Sequence, residues 1–310
     1  MTVTSPVDSR AALENSSAAR RSVFASRTLV RGVPLLPAVV LMIVFVLGPI
    51  AFCVYYAFTD MQLTGSSGAK FVGLANFKQA VETSQFYGAV VRTLLFTLVS
   101  AIIGQNLLGM LIAILMRQSN KYVRSFTSTL VIAAWVVPEI VAGYLLYAFF
   151  RDEGSLNEIL SFLHLPQQNW LYTLPLLAVS LANVWRGTAF SMMVYAAALS
   201  EVPQDLVEAA EMDGASIWQR FWHVTIPVIR RSIATNLMLI TLQTLSVFGL
   251  IWAMTRGGPG SQSTTLPIYT YQVALQNYEL GYGTAMALIL LLMGGIFSLI
   301  YVRALRSETE

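Results

Sequence analysis

The sequence predicts an all-α integral membrane protein with six transmembrane helices. Hydrophobic residues make up 56% of the 310-residue chain and charged residues only 11%, whereas soluble domains carry about 25% charged residues. About 20 apolar residues suffice to cross the ~30 Å hydrocarbon core. Two ionisable residues, Glu139 and Arg186, interrupt the runs that are long enough. The predicted spans are residues 32–59, 93–116, 125–150, 172–199, 232–255 and 280–302.

The basic residues predict the orientation. Thirteen of the 19 lie in the amino-terminal segment, the second and fourth connections and the carboxyl-terminal tail, and five lie in the other connections. Because cytoplasmic connections carry the excess of lysine and arginine, both termini are expected in the cytoplasm. Residues 1–31 lack apolar periodicity and are predicted to be a disordered tail. The net charge of +3 reflects this bias and indicates no nucleic-acid partner.

The connection between the fourth and fifth spans predicts two short helices outside the lipid. Pro203 suits the first turn of a helix, and Gly214 occupies the place where a left-handed residue would end it. Residues 216–219, Ser-Ile-Trp-Gln, fit a capping box that begins a second helix, and Pro227 is expected to end it. We therefore expect a helical hairpin, bent at Gly214, that exposes aromatic residues to a partner.

The spacing within this hairpin resembles a known loop. Glu208-Ala-Ala, three residues, Gly214, nine residues and Val224-Thr-Ile-Pro227 are similar to the loop by which binding-protein-dependent ABC importer permeases grip their ATPase; Ile and Leu are usual where Val224 and Ile226 stand. An amphipathic interfacial loop is the alternative. The resemblance implies a coupling loop over residues 200–228, with ATPase-coupling residues Glu208, Ala209, Ala210, Asp213, Gly214, Ile217, Trp218 and Phe221.

Three further segments resemble the carbohydrate branch of this family, the permeases for maltose, glycerol-3-phosphate and trehalose. They are Gly73-Leu-Ala-Asn-Phe77, Trp185-Arg-Gly187 and Gly257-Gly-Pro259. The resemblance covers about residues 33–305 and implies a maltose-permease-like fold; the basic leader favours the first permease subunit of an actinobacterial trehalose importer. The implied organisation is a tail (1–31), the first helix with an external loop (32–84), a permease core (85–305) and a short cytoplasmic tail (306–310).

The same resemblance implies a multi-subunit importer. Its other parts are a second permease that completes a heterodimer, two copies of an ABC ATPase and an external solute-binding lipoprotein. The chain has no G-x-x-x-x-G-K-[ST] phosphate loop, so ATP and Mg are expected on the partner ATPase. This chain is expected to bind no cofactor or metal and to be no enzyme by itself. The expected solute is a disaccharide such as trehalose or maltose, with glycerol-3-phosphate or another polyol phosphate as the alternative.

Two ionisable residues are candidates for the solute pathway. At ~1.5 Å per residue, Glu139 and Arg186 lie about 22 and 21 Å from the cytoplasmic ends of their spans. Because a charge at bilayer depth costs roughly 2.5–3.5 kcal/mol, we expect the two to pair or to line a polar pathway together. A structural ion pair without contact to the solute is the alternative.

Further pathway candidates follow from the resemblance to the maltose-type permease that contacts sugar. They lie on one face of the helix before the coupling loop and one face of the helix after it. Helix packing through polar side chains is the alternative. The corresponding positions here are Asn183, Gly187, Phe190, Ile240, Gln243, Thr244 and Val247.

Two rival functions remain. A secondary transporter driven by an ion gradient predicts inverted repeats and discontinuous helices, and the sequence suggests neither. A membrane sensor or scaffold could carry the docking loop without transporting anything. A requirement for a separate ATPase would distinguish the importer from both.

Overall fold

The computed structural model describes residues 36–65 and 68–306, which fold almost entirely into helices. The predicted tail over residues 1–31 and residues 307–310 lie outside the described part. Within that part we number the helices α1 (Leu36–Ala57), α2 (Ala75–Glu82), α3 (Ser84–Gln118), α4 (Lys121–Val136), α5 (Glu139–Phe150), α6 (Ser155–Phe162), α7 (Trp170–Thr173), α8 (Pro175–Ser200), α9 (Gln204–Met212), α10 (Ile217–Leu245), α11 (Gly249–Thr255), α12 (Leu266–Tyr271) and α13 (Leu280–Arg306).

Three helices, α1, α3 and α13, are long and apolar enough to cross a membrane by themselves. Two bent pairs, α4 with α5 and α10 with α11, raise this number to five if each pair is one span. The remaining predicted span corresponds to α8, whose 26 residues extend about 39 Å and so exceed the hydrocarbon thickness. Half of its residues are buried within the protein. The count of six spans stays a prediction.

The expectation of a continuous third span was wrong. Residues 125–150 form two helices. The first, α4, ends at Val136, and the next begins at Glu139 after a bend of 107°. Pro138 explains the break: it lacks a backbone N–H and disfavours helical geometry at the preceding residue. Val137 accordingly has an extended ψ of 127°.

The predicted fifth span is also broken, between Leu245 and Gly249, with a bend of 49°. The structure therefore contains the discontinuous helices that the sequence did not suggest. Because discontinuous helices are a feature that an ion-driven transporter predicts, the two breaks do not argue against that rival. The expected end at residue 255 is confirmed: Arg256 and Gly257 take left-handed φ values of 53° and 90°.

Helix α8 is central to the packing, in contact with α3, α4, α10 and α11. Glycines of α3 allow the closest approach, because a Cβ on Gly104 or Gly109 would lie 2.3 Å from Val184 or 2.5 Å from Ser191. Small residues allow helices to pack this closely in membranes. The fourth predicted span thus becomes the helix around which the others are arranged.

The segment containing Gly73 and Phe77, which is predicted to be external, has a structural role. Asn76 is 7% exposed and donates hydrogen bonds to the carbonyl oxygens of Ala57 and Thr59, at 2.9 and 2.8 Å. The Phe77 ring lies 5.4 Å from the ring of Phe58. The asparagine in this motif therefore satisfies one carbonyl in the last turn of the first helix and one just after it.

Candidate functional site

The hairpin predicted over residues 200–228 bends at Gly214, which has a φ of +80°. Helix α9 ends just before it. The N–H groups of Gly214 and Ala215 donate to the carbonyl oxygens of Glu211 and Ala210, at 3.0 and 2.9 Å. These two bonds form a Schellman motif, for which glycine is favoured because it has no Cβ.

Both reciprocal bonds of the predicted capping box are present. The Ser216 N–H donates to Gln219 Oε1 at 2.8 Å, and the Gln219 N–H donates to Ser216 Oγ at 3.3 Å. The expected end of the second helix at Pro227 was wrong. A π-helical turn over Phe221–Thr225 leads directly into Ile226–Leu245, so the hairpin's second arm is the beginning of the long helix α10.

The hairpin exposes large apolar side chains. Met212, Ile217, Trp218 and Trp222 are 88, 71, 70 and 57% exposed. An ion pair between Glu211 and Arg220 ties its two arms together. Because contiguous exposed apolar side chains on a folded protein mark interaction sites, this surface is typical of a docking element.

The predicted ATPase-coupling residues all lie on this hairpin. Ala210 and Phe221 are half-buried, and the remaining six are exposed. An open notch of about 420 Å³ lies at the bend, lined in part by Ala210, Asp213, Gly214 and His223. The hairpin therefore offers both a protruding aromatic surface and a concave one.

Glu139 and Arg186 do not form the expected pair. Three ion pairs occur among residues 36–65 and 68–306, and neither residue belongs to one. The matching-depth argument assumed a straight third span, which the break at Pro138 removes. The role of each side chain must therefore be considered separately.

Glu139 connects the two helix breaks. Its Oε1 accepts a hydrogen bond of 3.0 Å from the N–H of Leu250, in the first turn of α11. The first N–H groups of a helix lack partners within it, so the carboxylate caps α11 from a different helix. A Cβ on Gly249 would lie 3.0 Å from Ile140 Cγ1, so glycine permits the close packing of α11 against the start of α5.

Arg186 is half-buried on α8, and its Nε is buried without a hydrogen-bond partner within the described chain. Phe190 follows one turn later on the same face, with its ring 6.3 Å from that of Trp135. Arg186 and Phe190 therefore lie on the same side of α8, four residues apart.

Other predicted pathway residues are committed to packing between helices. The Asn183 amide donates to Ser100 Oγ at 2.8 Å and to Thr244 Oγ1 at 3.4 Å. A Cβ on Gly187 would lie 2.3 Å from the Gln105 side chain. These contacts join α3, α8 and α10 within this chain.

The fifth-span candidates differ in exposure. Ile240, Thr244 and Val247 are buried, whereas Gln243 is exposed. Gln243 is therefore the predicted pathway residue of α10 whose side chain is available to a solute or to a second subunit.

The sequence analysis missed a buried polar cluster. Asn236 is fully buried, and its Nδ2 lies 3.2, 3.1 and 3.1 Å from Asn106 Oδ1, Ser191 Oγ and Tyr195 Oη. Tyr195 also donates to Asn106. The signal was present in the sequence, because amide side chains within apolar spans usually form bonds between helices.

Comparison with known proteins identifies the family. Residues 105–308 match the model of the "binding-protein-dependent transport system inner membrane component". The sulfoquinovosyl glycerol transport system permease protein SmoG of Agrobacterium fabrum is 30% identical, covering 88% of this chain and 89% of its own. The trehalose/maltose transport system permease protein MalF of Thermococcus litoralis is also 30% identical, covering 89% and 93%.

A solved structure supports the fold. A bacterial ABC transporter involved in the import of the acidic polysaccharide alginate has a chain that matches with a TM-score of 0.80 at 23% identity. The match covers 94% of this chain and all of the other. The chain belongs to the family of binding-protein-dependent transport system inner membrane components, the non-catalytic permease subunits of ABC importers.

Proposed function

We propose that this protein is one of two permease subunits of an ATP-driven sugar importer and that its hairpin couples the solute pathway to a separate ATPase. The observation that carries the proposal is the hairpin itself. The Schellman motif at Gly214, the capping box at Ser216 and the Glu211–Arg220 ion pair fix its shape. It nevertheless exposes Ile217 and Trp218, which a partner surface would cover.

The continuity of α10 supplies a mechanical route. One helix runs from Ile217 in the hairpin to Leu245, about 43 Å at ~1.5 Å per residue. A displacement of the hairpin by a closing ATPase therefore moves the segment that carries Gln243. Such a rigid-body shift can exchange inward-facing and outward-facing states of a cavity.

We propose a disaccharide such as trehalose or maltose as the solute. Two relatives that are 30% identical are named for sulfoquinovosyl glycerol and for trehalose and maltose, and all three compounds contain sugar rings. The exposed Gln243 amide and the Phe190 ring have the chemistry that binds sugar hydroxyls and ring faces.

A polyol phosphate such as glycerol-3-phosphate is the second candidate solute. The observation that favours it is Arg186, whose buried Nε has no partner and whose charge has no counter-ion in the described part of the chain. A phosphate could provide both. An acidic side chain of the second permease could do the same.

The assembly that we propose is a heterodimer with a second permease, two copies of the ATPase and an external solute-binding lipoprotein. ATP and Mg belong to the ATPase. The protein crosses the bacterial inner membrane several times, with both termini in the cytoplasm. Family membership makes an ion-gradient transporter the weaker alternative, because the matched family is defined by dependence on a binding protein.

Cysteine crosslinking tests the coupling. Cys53 is the only cysteine, so a Cys53→Ala background lets Ala210→Cys be crosslinked to a cysteine scan of the candidate ATPase. We expect a crosslinked product that changes with ATP. Tyr122→Cys, 85% exposed at the start of α4, is the matched control. Failure of every position near Ala210 to capture the ATPase would refute the coupling proposal.

An ATPase assay tests the solute. The two permease subunits in vesicles should show ATP hydrolysis only after the separate ATPase is added. The rate of hydrolysis should rise further with binding protein and the correct solute. A panel of disaccharides and polyol phosphates distinguishes the two candidates. Solute uptake that is driven by an ion gradient and does not need ATP would refute the importer proposal for both candidate solutes.

A further inference from the structure

Two arginines face the same cleft at the base of the hairpin. Arg117 at the end of α3 and Arg124 at the start of α4 line a cavity of about 90 Å³. The end of α8 closes it with Leu199 and Ser200. Arg117 also lines a neighbouring cavity of about 420 Å³, which reaches Ile217 on the hairpin.

This cleft carries uncompensated positive charge. No Asp or Glu is among the described residues that line either cavity. Neither Arg117 nor Arg124 has an ion pair or a side-chain hydrogen bond in the described part of the chain, whereas Arg220, which also lines the larger cavity, is paired with Glu211. Lys121 adds a third cation to the acid-free segment between the two arginines.

The surface beside the cleft is apolar. No residue of α4 is buried, and Tyr122, Phe126 and Leu130 are 85, 66 and 56% exposed. On α3, Leu111 and Leu115 are 51 and 54% exposed. Cationic groups at the end of exposed apolar helix surfaces match a molecule with an anionic head and long hydrocarbon chains.

We propose that Arg117 and Arg124 bind the phosphate of an anionic phospholipid in the leaflet on the hairpin's side of the membrane. The acyl chains lie along the exposed faces of α3 and α4. Basic pockets between membrane helices recognise such head groups, and paired guanidinium groups suit phosphate oxygens. A free phosphate would use the arginines but not the adjoining apolar surface. The proposal does not depend on the identity of the solute.

Direct lipid binding tests this site. Purified protein in neutral-lipid nanodiscs is titrated with spin-labelled phosphatidylglycerol and, separately, with spin-labelled phosphatidylcholine. A surface cation contributes about 1 kcal/mol to binding an anionic lipid, so Arg117→Gln or Arg124→Gln should weaken phosphatidylglycerol binding about fivefold. The double variant should lose about 25-fold, with no change for phosphatidylcholine.

Matched variants distinguish binding at the cleft from a general effect of the protein's positive charge. Arg303→Gln, exposed on α13, removes a cation outside the cleft and should leave binding within about twofold of the wild type. The double variant Arg117→Lys and Arg124→Lys, which keeps both charges, should retain most of the binding. Equal losses in the Arg303 variant would overturn the proposal, and so would full binding in the double variant.

Two further experiments identify the molecule that occupies the cleft. Inorganic phosphate should not displace the labelled lipid at millimolar concentration, because it cannot occupy the apolar surface; displacement would assign the cleft to soluble anions and overturn the lipid proposal. Adding the partner ATPase should leave the bound lipid in place. Release of the lipid by the ATPase would show that the cleft is part of the protein interface instead.

Discussion

The backbone conformation of single residues sets the shape of the hairpin, and the left-handed φ of Gly214 is the main example. Its φ of +80° lies in the left-handed region, which costs an L-residue roughly 1–2 kcal/mol. Nothing lies within 4 Å of the place where its Cβ would be. A substitution is therefore limited by backbone conformation and not by crowding.

Gly214→Asn and Gly214→Val test this conclusion. Asparagine tolerates the left-handed region, whereas a β-branched residue does not. We expect the valine variant to lose most solute-stimulated ATP hydrolysis and the asparagine variant to keep most of it. Equal activity of the two variants would mean that the bend at this residue is not needed for coupling.

Exposure divides the pathway candidates into two groups. Gln243 is exposed, whereas Asn183 is 3% exposed and bonded to Ser100. We expect Gln243→Ala to raise the solute concentration needed for half-maximal ATP hydrolysis without changing the melting temperature. Asn183→Ala should lower the melting temperature, because the Ser100 hydroxyl loses a buried partner. An unchanged solute dependence in the Gln243 variant would exclude that residue from the pathway.

Asn236 carries the polar contacts of three helices. Its replacement by leucine leaves Asn106, Ser191 and Tyr195 without their shared donor, and a buried group without its partner costs about 1–3 kcal/mol. We expect a lower melting temperature and a lower yield of folded protein. Asn120→Ala is the control on the surface; it removes one exposed helix cap and should change stability less.

At the scale of helices, the two breaks in the predicted spans are in contact with each other. The third and fifth predicted spans both bend, and Glu139 beside the first break caps the helix after the second. A straight-helix interpretation of the sequence could not place these residues together. The carboxylate that had suggested a solute pathway thus has a structural task in joining α5 to α11.

Glu139→Gln and Glu139→Ala separate the hydrogen bond from the charge. Glutamine keeps an oxygen that accepts from the Leu250 N–H, whereas alanine removes it and exposes the cost of an unpaired donor, about 1–3 kcal/mol. We expect the alanine variant alone to melt at a lower temperature. If glutamine destabilises the protein as much as alanine does, then the negative charge and not the cap is what matters.

At the scale of the whole molecule, the number of crossings depends on α8. It is not among the helices whose length and apolar composition make them candidate spans, and it packs against several helices of the same chain. Asn183 and Ser191 therefore face protein neighbours and not lipid. Hydropathy alone can therefore fail to identify a membrane-spanning helix whose neighbours are mostly protein.

Labelling on either side of α8 tests the crossing. In a Cys53→Ala background, Glu153→Cys precedes α8 and Asp205→Cys follows it. With six spans, an impermeant maleimide should label residue 153 in intact cells and residue 205 only after permeabilisation. Labelling of both from the same side would show that α8 does not cross and that the predicted topology is wrong.

Composition and local pattern were enough to predict the membrane class, the apolar segments, the bend at Gly214 and the capping box at Ser216. Each of these depends on composition or on neighbours within a few residues. The tertiary structure alone decided the partner of Glu139, the burial of Asn183 and the cluster around Asn236. Those outcomes depend on which helices meet, and contacts between residues 41 to 130 positions apart leave no local pattern in a single sequence.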